Sequence, residues 1–246
     1  MRPAPVALAC GVVDAATCAA WLAAIDAHPA WQRRDAAIDG AFNVQSSSLR
    51  IGAMSALDPA AIAAVLLRSE VGALCNDRLG EALMCDVDQC WVRRQYAPSR
   101  YPPGHSPHAW HQDGALGFDF LGSQTSPAAG GLLAMVTCWV ALTDCGADAP
   151  GLEWIDGNAP GLLAPAALHH EALRSLHGEA AFRRPVMRPG DGLAFTGNVL
   201  HHTHVSSSMR QDRTSLEIRL FDAARIPARL HGDRFVAVPR ELQRIS

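Results

Sequence analysis

Apolar residues in the first 84 positions recur with helical spacing. Asp14 is the predicted N-cap of a first helix that ends before Pro29. Asp58 and Pro59 begin a second helix, as cap and first-turn proline, and a third helix ends at Gly80. The apolar stripes of these helices are Cys18, Trp21, Leu22 and Ile25, then Ile62, Val65 and Leu66, then Val71, Leu74, Cys75 and Leu79.

After residue 85 the pattern changes to short runs separated by Gly, Pro, Asp and Asn, which is typical of an all-β body. The predicted strands lie within residues 88–98, 133–142, 151–155, 192–197 and 213–221. The strand at 213–221 alternates, with one face formed by Leu216, Ile218 and Leu220 and the other by Arg213, Ser215, Glu217 and Arg219.

The polar face of this last strand has two interpretations. On a single strand such a face most often contacts solvent. In a barrel covered by helices, the apolar face turns outward and the polar face lines a cavity. Because the amino-terminal helices need an apolar sheet to cover, the pattern favours the barrel. We expect one domain over residues 1–246, with a helical outer layer at 1–84, a barrel core at 85–221 and a carboxy-terminal extension at 222–246.

Composition excludes several classes of function. The net charge of −3 and the scattered basic residues offer no stripe for nucleic acid, and no apolar stretch approaches the ~20 residues that a membrane span needs. Seven cysteines without Cys-x-x-Cys spacing favour reduced thiols in a cytoplasmic protein, which we expect to be a monomer or a small homo-oligomer. The chain contains no lysine, which excludes Schiff-base chemistry on a lysine amine.

Three His-x-acid triplets occur, at residues 111–113, 177–179 and 231–233. Only His111 and Asp113 are followed by residues that complete a chemical pattern: a distant His201 and, twelve positions later, Arg213. Two histidines and a carboxylate can hold Fe(II) by one face and leave three positions open for a bidentate cosubstrate and O₂. An arginine matches the far carboxylate of 2-oxoglutarate bidentately. The other two triplets are interpreted as surface polar residues.

With "WHQD" at 110–113, "GDGLAF" at 190–195 and the histidine and arginine that follow, the chain resembles the phytanoyl-CoA dioxygenase (PhyH) family of Fe(II)/2-oxoglutarate-dependent oxygenases over about residues 85 to 221. The resemblance implies a double-stranded β-helix, a jelly-roll or cupin-like barrel, with the amino-terminal helices on the outer face of its major sheet. It implies Fe(II), 2-oxoglutarate and O₂ as cofactor and cosubstrates, and iron ligation by His111, Asp113 and His201. It further implies a 2-oxoglutarate site made by Arg213, Thr203, Gln95 and Trp139.

The distal ligand has an alternative, because three histidines lie at 201, 202 and 204. The interval from Gly190 favours His201, whereas the interval to Arg213 favours His202. We prefer His201, since the strand before the ligand is stiffer than the loop after it. His105 and His108, beside the first two ligands, are interpreted as solvated loop residues.

The predicted activity is hydroxylation of a small polar metabolite, such as a natural product or an amino-acid-like compound, with release of succinate and CO₂. Dealkylation and desaturation remain open as alternative outcomes. If residues 89, 91, 93 and 95 share one inward strand face, the cavity gains charged side chains that suit a zwitterionic or carboxylate-bearing substrate. The predicted substrate-binding residues are Arg93, Gln89, Trp110, Phe118 and Arg219. Alternatively, the Arg and Glu side chains form a purely structural network. The competing functions are a cupin-like protein that binds a metal or small ligand without turnover, and a His₂Asp zinc hydrolase.

Overall fold

The computed structural model of the chain contains two antiparallel sheets and five helices in the part that it describes, residues 4–33, 40–42, 45–101, 109–117, 133–157, 161–164, 167–226, 230 and 232–239. The helices are α1 (Ala15–Asp26), α2 (Pro29–Arg33), α3 (Pro59–Leu66), α4 (Glu70–Leu79) and α5 (His170–His177). The strands are β1 (Val6–Ala9), β2 (Gly40–Phe42), β3 (Ser46–Arg50), β4 (Leu83–Asp86), β5 (Trp91–Gln95), β6 (Met135–Ala141), β7 (Gly151–Ile155), β8 (Phe182–Arg183), β9 (Gly192–Thr196), β10 (His201–His204), β11 (Arg213–Asp222) and β12 (Phe235–Ala237).

The larger sheet has the strand order β1-β9-β6-β11-β5-β3-β2, and β4 pairs with the far end of β11 and with β12. The smaller sheet has the order β10-β7-β8. Apolar side chains from β6 and β9 of the major sheet pack against β7 of the minor sheet, among them Trp139, Phe195 and Leu152. The two facing sheets form a double-stranded β-helix, so the predicted fold class is confirmed.

Strand β11 is buried on both faces. Leu216, Ile218 and Leu220 are fully buried in the core that the helices share with the major sheet. On the opposite face, Arg213, Glu217 and Arg219 line an internal cavity. The barrel interpretation of this alternating strand is therefore confirmed, and the solvent interpretation is wrong.

The helices α1, α3 and α4 cover the outer face of the major sheet, as predicted. The side chain of Asp14 accepts a hydrogen bond from the Thr17 amide and caps α1, and Asp58 caps α3 in the same way. Helix α4 ends at Gly80, whose positive φ of 76° suits glycine. The stripes of α3 and α4 join Val136, Cys138 and Ala194 of the sheet in one apolar core.

Two parts of the sequence fold differently from the expectation. The predicted strand at 88–98 is shorter: Val87–Gln89 forms a 3₁₀ turn, because the Asp86 carboxylate accepts a hydrogen bond from the Asp88 amide. The expectation that Gln89 shares the inward face of a strand is therefore wrong. Residues beyond 221 also contribute to the major sheet, since β12 pairs with β4 and Arg234 forms a bidentate ion pair with the buried Asp86.

Strands β1, β2, β3, β4, β8 and β12 and helices α2 and α5 were not predicted from the apolar pattern. Most are only two to five residues long, and β3 consists largely of serines that are buried in the structure. Within the described ranges, no helix has both the length and the apolarity needed to cross a lipid bilayer.

Candidate metal centre and cavity

Three potential ligands converge between the two sheets. One ligand atom from each of His111, Asp113 and His201 lies within 4.8 Å of the other two. Asp113 Oδ1 is 3.7 Å from the Nε2 atoms of both histidines. Among the residues that the structure describes, no other group of three or more His, Cys, Asp or Glu side chains meets in this way. The three residues that the sequence predicted as metal ligands therefore lie together in the structure.

Main-chain hydrogen bonds hold the two histidines side by side. The amide of His111 donates to the carbonyl of His201 at 3.0 Å, and the amide of His201 donates back at 3.1 Å. Nδ1 of His111 donates to the Ala109 carbonyl at 2.8 Å, and Nδ1 of His201 donates to the Val199 carbonyl at 3.1 Å. Since a carbonyl only accepts, the proton is on Nδ1 and each Nε2 offers its lone pair to the cluster.

The Asp113 carboxylate is buried and ion-paired. Its Oδ2 accepts a hydrogen bond from the Thr137 hydroxyl at 2.5 Å, and Arg219 Nη2 lies 3.3 Å from both carboxylate oxygens. Burial acts to raise the pKa of Asp113, but the Arg219 guanidinium and the two histidines outweigh it and hold the pKa well below its usual range. Asp113 is therefore ionised at neutral pH and presents a negative oxygen to the histidines.

The neighbouring histidines of β10 contact Glu153 and not the cluster. His202 Nε2 is 2.7 Å from Glu153 Oε2, and its ring lies 4.1 Å from the ring of Trp110. His204 Nδ1 is 3.7 Å from the same glutamate oxygen. Because successive side chains of a strand alternate, His201 alone of the three reaches His111 and Asp113. The structure thus favours His201 over His202 as the third member of the cluster.

Next to the cluster lies a cavity of about 540 Å³. Its walls are formed by Arg93, Ala109, Trp110, His111, Asp113, Thr137, Trp139, Leu152, Leu168, Phe195, His201, His202, Thr203, Arg213, Glu217 and Arg219. Apolar side chains of both sheets provide much of this lining, and the charged groups come mainly from β11. Volume and lining are typical of a site for a small molecule.

Arg213 is a buried cation with no hydrogen-bond partner among the described residues. The residue is 1% exposed, and none of its three guanidinium nitrogens has a hydrogen-bond partner in the described part of the chain. Its guanidinium lies 5.2 Å from the centre of the Trp139 ring. Burial lowers the pKa of Arg213 to about 10, so it remains protonated at neutral pH. A buried charge of this kind is costly unless an anion pairs with it.

Other polar groups beside Arg213 also lack a partner within the described residues. They are Oε1 of Gln95, Nε1 of Trp139 and Oγ of Ser215. Gln95 is the register partner of Arg213 on β5, and Trp139 and Thr203 line the cavity with Arg213. Three of the four residues predicted for 2-oxoglutarate thus line the same cavity, and the fourth, Gln95, lies opposite Arg213 in the sheet without being among the lining residues.

The predicted substrate residues have different environments. Arg93 makes a bidentate ion pair with Glu217, at 2.6 and 3.2 Å. Burial acts to raise the pKa of Glu217, but Arg93 more than offsets it, and the pKa falls to about 2. Trp110 lines the cavity and donates from Nε1 to His170 at 3.3 Å. These contacts support a network of mutually compensating charges on the cavity wall.

Arg219 contacts the main chain of Gln89 and also lines the cavity, whereas Gln89 is not among the lining residues. Arg219 Nη1 donates to the main-chain carbonyl of Gln89 at 2.7 Å, while Nη2 faces Asp113. Phe118, His105 and His108 lie outside the described residues, as does His231 of the third triplet. Glu179 of the second triplet is exposed and forms an ion pair with Arg174, as expected for a surface residue.

Thr137 is a further site residue that the sequence prediction missed. It is one of few polar side chains in β6, an otherwise apolar strand in which every residue is buried. A hydroxyl inside such a run needs a hydrogen-bond partner, and this signal is available in the sequence.

The fold and the site together define the class of this protein. It is a double-stranded β-helix protein that carries a His-Asp-His cluster beside a cavity. The sequence matches the family model for phytanoyl-CoA dioxygenase (PhyH) over residues 6–214. The chain therefore belongs to the phytanoyl-CoA dioxygenase family. No curated protein sequence matches it.

Solved structures share the fold at low sequence identity. The epimerase SnoN from nogalamycin biosynthesis is 16% identical, with a TM-score of 0.63 and coverage of 96% of this chain and 92% of that one. EctD from S. alaskensis is 16% identical, with a TM-score of 0.62 and coverage of 95% and 80%. HygX from Streptomyces hygroscopicus is 14% identical, with a TM-score of 0.58 and coverage of 97% and 94%.

Proposed function

We propose that this protein is an Fe(II)- and 2-oxoglutarate-dependent dioxygenase that hydroxylates a small polar metabolite. The observation that carries the proposal is the buried Arg213 cation, which has no hydrogen-bond partner among the described residues and lines the same cavity as His111, Asp113 and His201. A protein that only bound a metal would gain nothing from a buried arginine without a counter-ion, and neither would a zinc hydrolase. A dianionic cosubstrate explains both features together.

The residues fit this role by their chemistry. His111, Asp113 and His201 supply two imidazole nitrogens and one carboxylate oxygen, the donor set that holds Fe(II) and leaves open positions. Arg213 would bind the distal carboxylate of 2-oxoglutarate, and Thr203, Gln95 and Trp139 would complete that pocket. When bound, Fe(II) and 2-oxoglutarate supply the oxidising chemistry, with O₂ consumed and succinate and CO₂ released.

Structural relatives support a small-molecule substrate. SnoN has been crystallised with Fe³⁺, α-ketoglutarate and nogalamycin RO, and EctD with 2-oxoglutarate and 5-hydroxyectoine. HygX has been crystallised with nickel, 2-oxoglutarate and hygromycin B. For this chain we propose a polar substrate that enters beside Trp110 and Arg93, where Phe118 is also expected, and a monomer or small homo-oligomer in the cytoplasm.

Anaerobic titration tests the proposal directly. Metal-free protein is mixed with Fe(II) and then with 2-oxoglutarate, and a weak visible charge-transfer band is expected to appear only after the second addition. Admission of air is then expected to yield succinate. The Arg213→Ala variant is expected to need a much higher 2-oxoglutarate concentration for the same band, because the carboxylate loses its bidentate partner.

Arg210→Ala is the matched control, because Arg210 is an exposed arginine on the loop before β11. It is expected to behave as the wild type. Absence of both the band and succinate in the wild type contradicts the proposal. Metal binding without a response to 2-oxoglutarate points instead to the binding protein, and zinc-dependent hydrolysis points to the hydrolase.

A further inference from the structure

Asp113 can present either one or both of its oxygens to a metal, and the surrounding side chains distinguish the two oxygens. Oδ1 is the oxygen 3.7 Å from both histidine Nε2 atoms. Oδ2 accepts the short hydrogen bond from Thr137. Arg219 Nη2 lies 3.3 Å from each oxygen and so contacts the carboxylate from one side. One oxygen is thereby directed to the cluster and the other is held in the protein.

Arg219 is itself fixed at several points. Its Nη1 donates to the Gln89 carbonyl, and its Nη2 lies 3.8 Å from Glu217 Oε2. Glu217 in turn is held by Arg93. The side chain is buried, at 7% exposure, so it cannot swing into solvent. A guanidinium clamped between a main-chain carbonyl and two carboxylates orients each of them.

We propose that Arg219 is a positioning residue for the metal centre, which together with Thr137 restricts Asp113 to ligation through Oδ1. This inference rests on the metal binding in the proposed function. The forked geometry of Arg219 is required, and its positive charge alone does not suffice. Restriction to one oxygen leaves an additional coordination position open at the metal, which a bidentate cosubstrate and O₂ need.

Two opposing effects make the proposal testable. A positive charge close to the centre disfavours binding of a cation, so if Arg219 acted only through its charge, its removal would tighten metal binding. If Arg219 positions Asp113, loss of its fork weakens metal binding even when the charge is kept. Arg219→Lys keeps the charge and loses the fork, since a lysine ammonium cannot contact Asp113 and the Gln89 carbonyl in the same way.

The experiment is a Co(II) titration of the metal-free protein in a competition assay, with visible absorption of the bound ion as a second readout. Arg219→Lys is expected to bind Co(II) about 10- to 100-fold more weakly, and its absorption is expected to change as the carboxylate coordination changes. Arg174→Lys is the control, since Arg174 is exposed, forms an ion pair with Glu179 on the surface and does not line the cavity. It is expected to leave both readouts at their wild-type values.

Thr137→Val provides a second variant, because it releases Oδ2 without altering any charge. It is expected to change the Co(II) absorption in the same direction as Arg219→Lys. If thermal unfolding shows that Arg219→Lys is not folded, Thr137→Val still tests the proposal. Wild-type affinity and absorption in Arg219→Lys, or in Thr137→Val if only that variant folds, overturn the proposal. Failure of the wild type itself to bind Co(II) or Fe(II) counts against the proposed function instead.

Discussion

The two ends of β11 carry the same residue type on the same face, in opposite electrostatic situations. Arg219 is buried with Asp113, Glu217 and a main-chain carbonyl as partners. Arg213 is buried with an aromatic ring beside it and no acceptor among the described residues. Within the described residues, the first end has counter-charges of its own, although Arg219 Nε has no hydrogen-bond partner there, whereas at the second end none of the three Arg213 guanidinium nitrogens has a partner. We propose that the first charge organises the site and that the second binds a ligand.

Removal of Asp113 is expected to have the largest effect on stability and activity. It leaves Arg219 without its closest carboxylate, as Arg213 is at the other end of β11. Asp113→Ala leaves a buried cation with only the more distant Glu217, which destabilises the metal-free protein by about 3–5 kcal/mol. It also removes a ligand, so 2-oxoglutarate-dependent succinate formation is expected to disappear. Urea unfolding and a succinate assay measure the two effects. Asp233→Ala, at an exposed carboxylate, is the control, and persistent turnover in Asp113→Ala contradicts the assignment.

Removal of the Arg213 charge is expected to raise the stability of the protein, whereas Asp113→Ala lowers it. Arg213→Met keeps an unbranched apolar stem and deletes an uncompensated buried cation, so we expect the metal-free protein to gain about 2 kcal/mol in the free energy of unfolding. The same variant is expected to bind 2-oxoglutarate poorly. Urea unfolding with and without Fe(II) and 2-oxoglutarate checks both effects. A loss of stability in the metal-free variant means that Arg213 has a structural partner.

The pH dependence of stability tests the Arg219 end of β11, where Glu217 is ion-paired with the arginines. The pKa of Glu217 is about 2 in the folded protein and 4.5 in an unperturbed glutamate. Because the folded pKa is the lower one, its contribution is complete above about pH 4.5 and is lost as the pH falls towards 2. We expect the stability advantage of the wild type over Glu217→Gln to shrink by about 3 kcal/mol across that window.

Urea unfolding at a series of pH values measures this change. Glu171→Gln, at an exposed glutamate of α5, is the control and is expected to follow the wild type. A difference between wild type and Glu217→Gln that does not vary with pH contradicts the compensation of Arg93 and Arg219 by Glu217.

The smallest effect on metal binding is expected at His202. His202→Gln can still donate to Glu153, and Co(II) affinity is expected to stay within about twofold of the wild-type value. His201→Gln is expected to abolish binding, because it removes a member of the cluster. Metal loss in His202→Gln with retention in His201→Gln reverses the choice of the distal ligand.

The features of the fold that depend on local periodicity could be predicted from the sequence. The alternation at 213–221 placed Arg213 and Arg219 on the cavity face because side-chain direction in a strand has a fixed period. The caps at Asp14 and Asp58 likewise fixed two helix starts, since a cap acts on the next few residues.

Contacts between segments that are distant in the sequence could not be predicted from local patterns. That Arg219 pairs with Asp113 depends on how residues 109–117 cross β6 and β11, and no spacing in the sequence encodes that crossing. Gln89 was misplaced for the related reason that the Asp86 turn competes with strand propensity and is stabilised by the distant Arg234. The short strands at both termini are defined by their partners, since their own side chains carry little pattern.

The reciprocal main-chain hydrogen bonds between His111 and His201 have a consequence for how such a protein can change. The position of both imidazoles is set by peptide groups, which substitution of neighbouring side chains leaves in place. The cavity wall can therefore acquire a new shape, through exchanges at Leu152 or Leu168, while the histidine pair keeps its spacing. Phe195 is a poorer choice, because its ring lies 4.4 Å from the ring of His201. For directed evolution, the two leucines are the cavity positions at which the shape can change with least effect on the cluster.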